Sequence, residues 1–313
     1  MDVTESNLSL STIDSDGIPQ AYYIPEFISE DEERYLLRQI YDAPKPKWKN
    51  LENRRLQVWG MNLFSPYTYA VPHNIPGGDL TPSNKLLAQA LPSFLTNYPD
   101  VVGRLRATGA FSKSKHGAPN HVIVNEYLPL QGIMPHEDGP SYHPVVATIS
   151  LGSHTVFHYY RYKTESTSGV PRMSDSLSDH GQINDVDPAQ SSSPGGHGRV
   201  IDMSRPVLSL LLEPRSLVIT TQQLYTDHLH GIDPLSEDVF LPASSLSRSD
   251  SVLTVQDSVG NHAQVGVQVA NSTLIKDPKL REIVANGGKL KRGTRISLTC
   301  RDVENVVQVK SLR

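Results

Sequence analysis

Cysteine is nearly absent: the 313-residue chain has one, Cys300. A single thiol can form neither an internal disulfide nor a cysteine-based zinc site, which points to a reducing compartment, intracellular, nucleus or cytoplasm. No run of about 18 apolar residues occurs, so no membrane span is expected. Residues 1–20 lack a basic leader and an apolar stretch, so they are not a signal peptide and read as a flexible N-terminus. Excess positive charge is also missing. The formal net charge of −4 argues against nucleic-acid binding by bulk electrostatics, though not against a local basic patch.

Helical periodicity is scarce. One helix is well marked: Ser29-Glu30-Asp31-Glu32 has the form of a capping box, and Leu36 with Ile40 and Leu37 with Tyr41 follow at i,i+4 spacing. It should end before Pro44. A second helix is expected over about 82–90. Residues 21–27 read as a short strand. From Val122 onward, the segments 122–127, 145–151, 155–162, 207–212, 216–220 and 295–300 are β-branched, apolar or aromatic, separated by Gly, Pro and Ser. Short strands without intervening helices predict a mainly β fold with flanking helices, a sandwich or jelly roll. The chain reads as a single domain over 21–313 with two inserts. The first, at about 164–205, is rich in Ser, Gly, Pro and Asp without apolar period, and is expected to be disordered. The second, at about 236–291, is expected to be partly ordered, with a hairpin around Gly260-Asn261.

The chemistry starts at Met134-Pro135-His136-Glu137-Asp138-Gly139. In an extended segment residues i and i+2 face the same way, so His136 and Asp138 reach one ion while Glu137 turns away. Two imidazoles and one carboxylate leave three of six positions open, the ligand set of non-haem iron(II). Alone the pair is a short motif, and Asp-Gly-Pro is turn chemistry. A third ligand has to come from another strand. His228 and His230, in Asp227-His228-Leu229-His230-Gly231-Ile232, share a parity, so geometry leaves both open.

Upstream, Asn125 and Tyr127 also sit at i and i+2, and an amide and a phenol are suitable donors to a carboxylate. Near the C-terminus Arg295, Ser297, Thr299 and Arg301 alternate with Ile296, Leu298 and Cys300. A charged face inside a barrel needs partners, and a dianionic ligand would supply them. Arg295 and Arg301 are about 20 Å apart along a strand, so their long side chains can approach opposite ends of a short dicarboxylate. Cys300, on the other face, reads as a packed thiol. A basic and aromatic patch, Lys45, Lys47, Trp48, Lys49, Arg54, Arg55 and Trp59, with Tyr67 and Tyr69 beyond, is expected in a loop and suits stacking on bases.

In this order the motifs resemble the AlkB-type 2-oxoglutarate- and iron(II)-dependent dioxygenases. The resemblance is carried by Val124-Asn125-Glu126-Tyr127, Pro135-His136-Glu137-Asp138-Gly139-Pro140, Ile149-Ser150-Leu151-Gly152-Ser153, Leu229-His230-Gly231-Ile232 and Arg292-Gly293-Thr294-Arg295. It runs from about Tyr22 to Val303, skipping the inserts. It implies a double-stranded β-helix, or jelly roll, and iron(II) held by His136, Asp138 and His230. The His-Gly-Ile match selects His230 over His228. It also implies that Asn125, Tyr127, Arg295 and Arg301 bind 2-oxoglutarate, with dioxygen as the other cosubstrate. Ser297 departs from the asparagine of the bacterial relative, so no contact is expected of it. The implied activity is oxidative demethylation or dealkylation of nucleic acid bases by a monomer. Modified RNA or DNA would meet Lys47, Trp48, Lys49, Arg54, Arg55 and Trp59. The alternatives are a hydroxylase or demethylase of protein or small molecule, and a catalytically silent binding protein of the same fold.

Overall fold

Among the described residues, helices are outnumbered by short strands. In the computed structural model these are β1 (Ala21–Ile24), β2 (Lys49–Leu51), β3 (Arg54–Trp59), β4 (Leu86–Leu87), β5 (His121–Tyr127), β6 (Ile133–His136), β7 (Tyr142–Leu151), β8 (Thr155–Arg161), β9 (Leu208–Leu212), β10 (Leu217–Thr221), β11 (His228–Ile232), β12 (Glu237–Phe240), β13 (Thr254–Val255), β14 (Gln264–Val265), β15 (Gly288–Lys291), β16 (Arg295–Val303) and β17 (Val306–Val307). The helices are α1 (Glu30–Tyr41), α2 (Ser93–Thr96), α3 (Val101–Ala107), α4 (Gln222–Thr226) and α5 (Pro278–Asn286). The structure describes residues 21–60, 89–163, 199–242 and 266–306, and the backbone of 86–87, 254–255, 264–265 and 307. The expected flexible N-terminus 1–20, Tyr67, Tyr69, the Gly260-Asn261 turn and most of the first insert lie outside the described residues.

Two antiparallel sheets face each other. The larger has the order β1-β10-β7-β16-β5-β3-β2, the smaller β6-β11-β8-β9. This is the jelly-roll arrangement that the alternating strands predict. Register decides what each face carries. Ser297 lies opposite Asn125 on one side and Ser150 on the other. Arg295, Ser297, Thr299 and Arg301 therefore share the inner face with Tyr127, Asn125, Ser150 and His121. Ile296, Leu298 and Cys300 take the outer face. There they pack with Val122, Val124, Ala147 and Ile149 against Leu36 and Ile40 of α1 and Leu105 of α3. Fully burying each such side chain contributes about 1.5–3 kcal/mol.

Helix α1 starts where the capping box places it. Ser29 N donates to Glu32 Oε2 at 2.8 Å, and Glu32 N donates to Ser29 Oγ at 3.3 Å. Between the sheets, Tyr23, Tyr127 and Val218 meet Phe157, Tyr159, Leu210 and Ile232. The back of the smaller sheet is covered from the second insert: Val156 and Leu211 pack on Phe240, Val269, Ile275 and Val284. Within that insert β13 and β14 pair antiparallel, the two arms of the expected hairpin. Helix α5 has no counterpart in the sequence reading; Asp277 caps it by accepting from Lys279 N at 2.8 Å, with Pro278 in its first turn.

Three local expectations change. Leu86–Leu87, inside the expected helix at 82–90, is instead a strand parallel to β17. Pairing to a distant segment overrides local propensity there. The basic patch is not a loop: Lys45–Lys47 form one 3₁₀ turn, and β2 and β3 follow. Its alternation is hidden because each face of these strands mixes charged or polar groups with apolar ones. Finally, the end of the first insert pairs back on β8, with Lys163 N donating to Val200 O at 2.7 Å and Asp202 N to Arg161 O at 2.9 Å.

Candidate metal centre

Strands β6 and β11 run antiparallel with His136 opposite His230. Gly231 lets them come this close. A Cβ there would stand 3.0 Å from both Ile133 O and Pro135 N. His136, Asp138 and His230 each offer a ligand atom, and these atoms lie within 4.8 Å of one another. The two imidazole centroids are 4.4 Å apart, and Phe157 stacks on His230 at 5.3 Å. His136 Nδ1–H donates to the Met134 carbonyl at 2.9 Å, which puts the ring's lone pair on Nε2. His228 is not in this group; its Nδ1–H donates to the Gln223 carbonyl at 2.9 Å. Of the two histidines left open by parity, the fold brings His230 to the other ligands.

The charges are arranged for a cation. Burial, with His136 beside it, pushes His230 down to about 3, so its imidazole is neutral. Burial alone would raise the Asp138 carboxyl, but the Arg301 guanidinium together with His230 and His136 outweighs it and holds the group below its usual value. Arg301 Nη2 donates to Asp138 Oδ1. The other oxygen, Oδ2, is buried without a hydrogen-bond partner, 3.9 Å from His230 Nε2. A bare buried carboxylate oxygen is costly unless a cation or donor meets it. Two imidazoles and that oxygen fit a divalent iron with positions to spare.

The neighbouring groups hold this carboxylate in place. Arg301 Cζ sits 4.9 Å from the Tyr142 ring centroid. The Tyr225 hydroxyl donates to the Gly139 carbonyl at 3.1 Å, so α4 tethers the turn that follows Asp138. Neither tyrosine was legible from motif spacing: Tyr142 lies just past the motif but meets Arg301 from a distant strand, and Tyr225 approaches from a helix far along the chain.

Further along the inner face, Arg295 is 3% exposed. Its Nη2 donates to Ser150 Oγ at 2.9 Å, its Cζ lies 5.7 Å from the Tyr127 ring, and its Nε has no partner. Burial lowers it to about 10, which still leaves it cationic near neutral pH. No ion pair to it is found among the described residues. A buried cation of this kind calls for an anion, and a carboxylate of 2-oxoglutarate fits. Asn125 and Tyr127 are buried beside it, with Asn125 Oδ1 accepting from Arg54 Nε at 3.2 Å. Of the two arginines expected to bind 2-oxoglutarate, Arg301 donates through Nη2 to Asp138 and Arg295 through Nη2 to Ser150, and the Nε of each is buried without a partner.

The basic patch divides across the sheet. Arg55 pairs in register with Glu126, and Trp59 with Val122, on the helix-covered face. Arg55 ion-pairs with Glu126 and lies 4.3 Å from the Trp48 ring, and the Tyr41 hydroxyl donates to Glu126 at 2.8 Å. Lys47 Nζ sits 4.0 Å over Trp59, whose Nε1 donates to Gln57 at 3.0 Å. These groups satisfy one another on the side away from the histidines. Lys49 and Arg54 fall on the inner face, because Lys49 is opposite Leu56 and Leu56 opposite Asn125. The single stacking platform expected from the sequence is therefore corrected to two separate clusters.

A family model described as the 2OG-Fe(II) oxygenase superfamily matches residues 20–301. A Danio rerio protein named "Probable RNA/DNA demethylase ALKBH6" is 36% identical over 290 residues, covering 93% of this chain and 88% of the relative. A Xenopus tropicalis protein named "tRNA (carboxymethyluridine(34)-5-O)-methyltransferase alkbh8" is 29% identical over 157 residues, 50% of this chain but 22% of the relative. The solved structure of OsALKBH1 aligns over 92% of this chain and all of that one, with 14% identity and a TM-score of 0.42.

Proposed function

This chain belongs to the 2OG-Fe(II) oxygenase superfamily and is a 2-oxoglutarate-dependent dioxygenase, and from that premise we propose that it oxidatively removes alkyl groups from nucleic acid bases. The carrying observation is the pairing of a bare, buried Asp138 Oδ2 between two histidines with a buried Arg295 lacking an anion. We assign iron(II) to His136, Asp138 and His230, and the far carboxylate of 2-oxoglutarate to Arg295, with Asn125 and Tyr127 lining the same pocket. Support for the nucleic acid comes from the Danio rerio relative's name and from Lys49 and Arg54 on the inner face.

When bound, iron(II) with 2-oxoglutarate and dioxygen supplies the oxidising power to hydroxylate a C–H bond; a hydroxylated N-methyl group then leaves as formaldehyde. The chain's own residues do the positioning. Met134 fixes the His136 tautomer through its carbonyl, and Phe157 holds the His230 ring by stacking. Arg301 occupies Asp138 Oδ1, so the carboxylate presents one oxygen rather than two. The apolar wall of Phe157, Tyr159, Leu210 and Ile232 keeps water from the inner space.

The test is succinate release by the iron-loaded protein against pools of N-methylated RNA, N-methylated DNA and peptides, with His136→Ala as the control. Stimulation by a nucleic acid pool, with formaldehyde in step with succinate, is the expected result. Stimulation by peptides alone would replace the substrate assignment and leave the dioxygenase chemistry intact.

A further inference from the structure

Five of the six buried side-chain nitrogen or oxygen atoms without a partner among the described residues belong to Asp138, Arg295, Arg301 and His121. Asp138 Oδ2 and Arg295 Nε are accounted for by the metal and the cosubstrate. Arg301 Nε and both ring nitrogens of His121 are not. His121 is fully buried and lies directly opposite Arg301 in the β5–β16 ladder, so the two side chains stand together on the inner face. Both rest on one ring: His121 stacks parallel on Tyr142 with centroids 5.6 Å apart and planes 2° apart, while Arg301 Cζ lies 4.9 Å from the same ring. If position 121 only filled space, an apolar ring would do so without leaving two polar atoms dry. Burial, with Arg301 beside it, pushes the imidazole down to about 3, so it is neutral and keeps one lone pair to accept with.

We propose that His121 is a positioning residue for the metal carboxylate: it accepts from the Arg301 Nε–H across one buried water and so fixes the guanidinium that orients Asp138. The complementarity is direct. Arg301 Nε–H is buried without a partner, while Nη2 donates to Asp138. His121 offers the acceptor from the neighbouring strand, and a polar site with two to four partners is where a protein keeps a buried water. The chain of contacts runs from His121 to Arg301 to Asp138, with Tyr142 as the floor beneath the first two. This rests on the assignment of Asp138 as a metal ligand.

The experiment compares His121→Gln, which retains an acceptor, with His121→Met, which has similar length and none. Each apo-protein is titrated with manganese(II) as a redox-silent probe, and its thermal melting is recorded without metal. His121→Met should bind the metal roughly tenfold more weakly while melting within a few degrees of wild type, and His121→Gln should recover most of the affinity. Equal metal affinity for wild type and His121→Met overturns the proposal. So does an equal loss in both variants, which would mark a purely shape-filling ring. Should neither variant fold, nitrogen-15 spectra of the wild type decide: an Arg301 Nε–H protected from exchange and one hydrogen-bonded His121 acceptor nitrogen support it, and a rapidly exchanging Nε–H overturns it. If wild type itself shows no metal binding that depends on Asp138, the failure lies with the metal assignment and not with His121.

Discussion

Arg301 reaches from β16, in the middle of the larger sheet, to Asp138 just beyond β6 of the smaller one, and donates to Oδ1 while Oδ2 stays bare. Arg295, six residues earlier on the same face, has no such carboxylate. The two arginines should therefore fail in different ways. Arg301→Gln should weaken manganese(II) binding roughly tenfold or more even without 2-oxoglutarate, because the carboxylate loses its orienting partner. Arg295→Gln should leave that affinity within about threefold and raise the KM for 2-oxoglutarate by roughly a hundredfold, the size expected for a charge-assisted contact. Calorimetric titration with metal alone, then with metal and cosubstrate, separates them; identical profiles for the two variants would refute the division of labour.

Gly231 has no room for a side chain against Ile133 O and Pro135 N. Gly231→Ala should push β11 away from β6 and pull His230 from His136. Backbone on both sides of the contact cannot rotate aside as a flexible side chain would. The expected outcome is a melting temperature lower by several degrees, at about 2–4 °C per kcal/mol for a chain of this size, together with metal affinity reduced more than tenfold. Wild-type affinity in this variant would mean that the two strands can part without separating the ligands.

The two halves of the basic patch should separate on substitution. Lys49→Ala and Arg54→Ala, on the inner face, should weaken oligonucleotide binding and each reduce the salt slope by about 1. Arg55→Ala should leave binding unchanged. It removes the partner of Glu126, a side chain only 6% exposed, and should cost about 1–2 kcal/mol of stability. Fluorescence anisotropy across a salt series, with thermal melting alongside, reads both. Loss of binding on Arg55→Ala with unchanged melting would return the nucleic acid to the helix-covered face.

The strand-rich core and the His136–Asp138 pair were legible because each depends on a period of two within one segment. The alternation at 295–301 likewise located the polar inner face. His230 could be preferred to His228 only by resemblance, since both have the same parity; the physical reason, the backbone approach at Gly231, needs the partner strand. The donation of Arg301 to Asp138 was not legible for a related reason. Alternation tells which face a side chain takes, not which acceptor lies across the barrel. Strand β3 was missed because Arg54, Arg55 and Gln57 look like a solvated run, although Gln57 is fully buried and donates to the Ile40 carbonyl at 2.8 Å. His121, Tyr142 and Tyr225 belong to no motif and become visible only where three distant segments meet.

Asp238 ties the second insert to the core, and its titration should be visible in the stability of the fold. Asp238 Oδ2 takes Arg292 Nε at 2.8 Å and His154 Nε2 at 3.1 Å, Oδ1 takes Arg292 Nη2 at 2.6 Å, and Arg292 Nη1 donates to the Asp233 carbonyl at 2.7 Å. Burial by itself would raise this carboxyl, but Arg292 and His154 outweigh it, so its folded pKa lies below the ordinary value. A carboxylate depressed in the folded state stabilises the fold above its unfolded pKa, about 3.9 for aspartate. That contribution is lost as pH falls from there through the folded pKa. Melting temperature should therefore drop more steeply below about pH 4 in the wild type than in Asp238→Asn, while the variant is the less stable of the two at pH 7. Arg292→Met should cost about 3 kcal/mol at pH 7, because it strands a buried carboxylate, and should recover part of that loss in acid as the carboxyl protonates. Parallel melting-against-pH curves for wild type and Asp238→Asn would show that this network does not titrate with unfolding, and would leave the hold on the insert to the packing of Phe240, Val269, Ile275 and Val284 and to the hydrogen bonds of Asn271 with Leu211 and of Glu213 with Lys276 and Asp277.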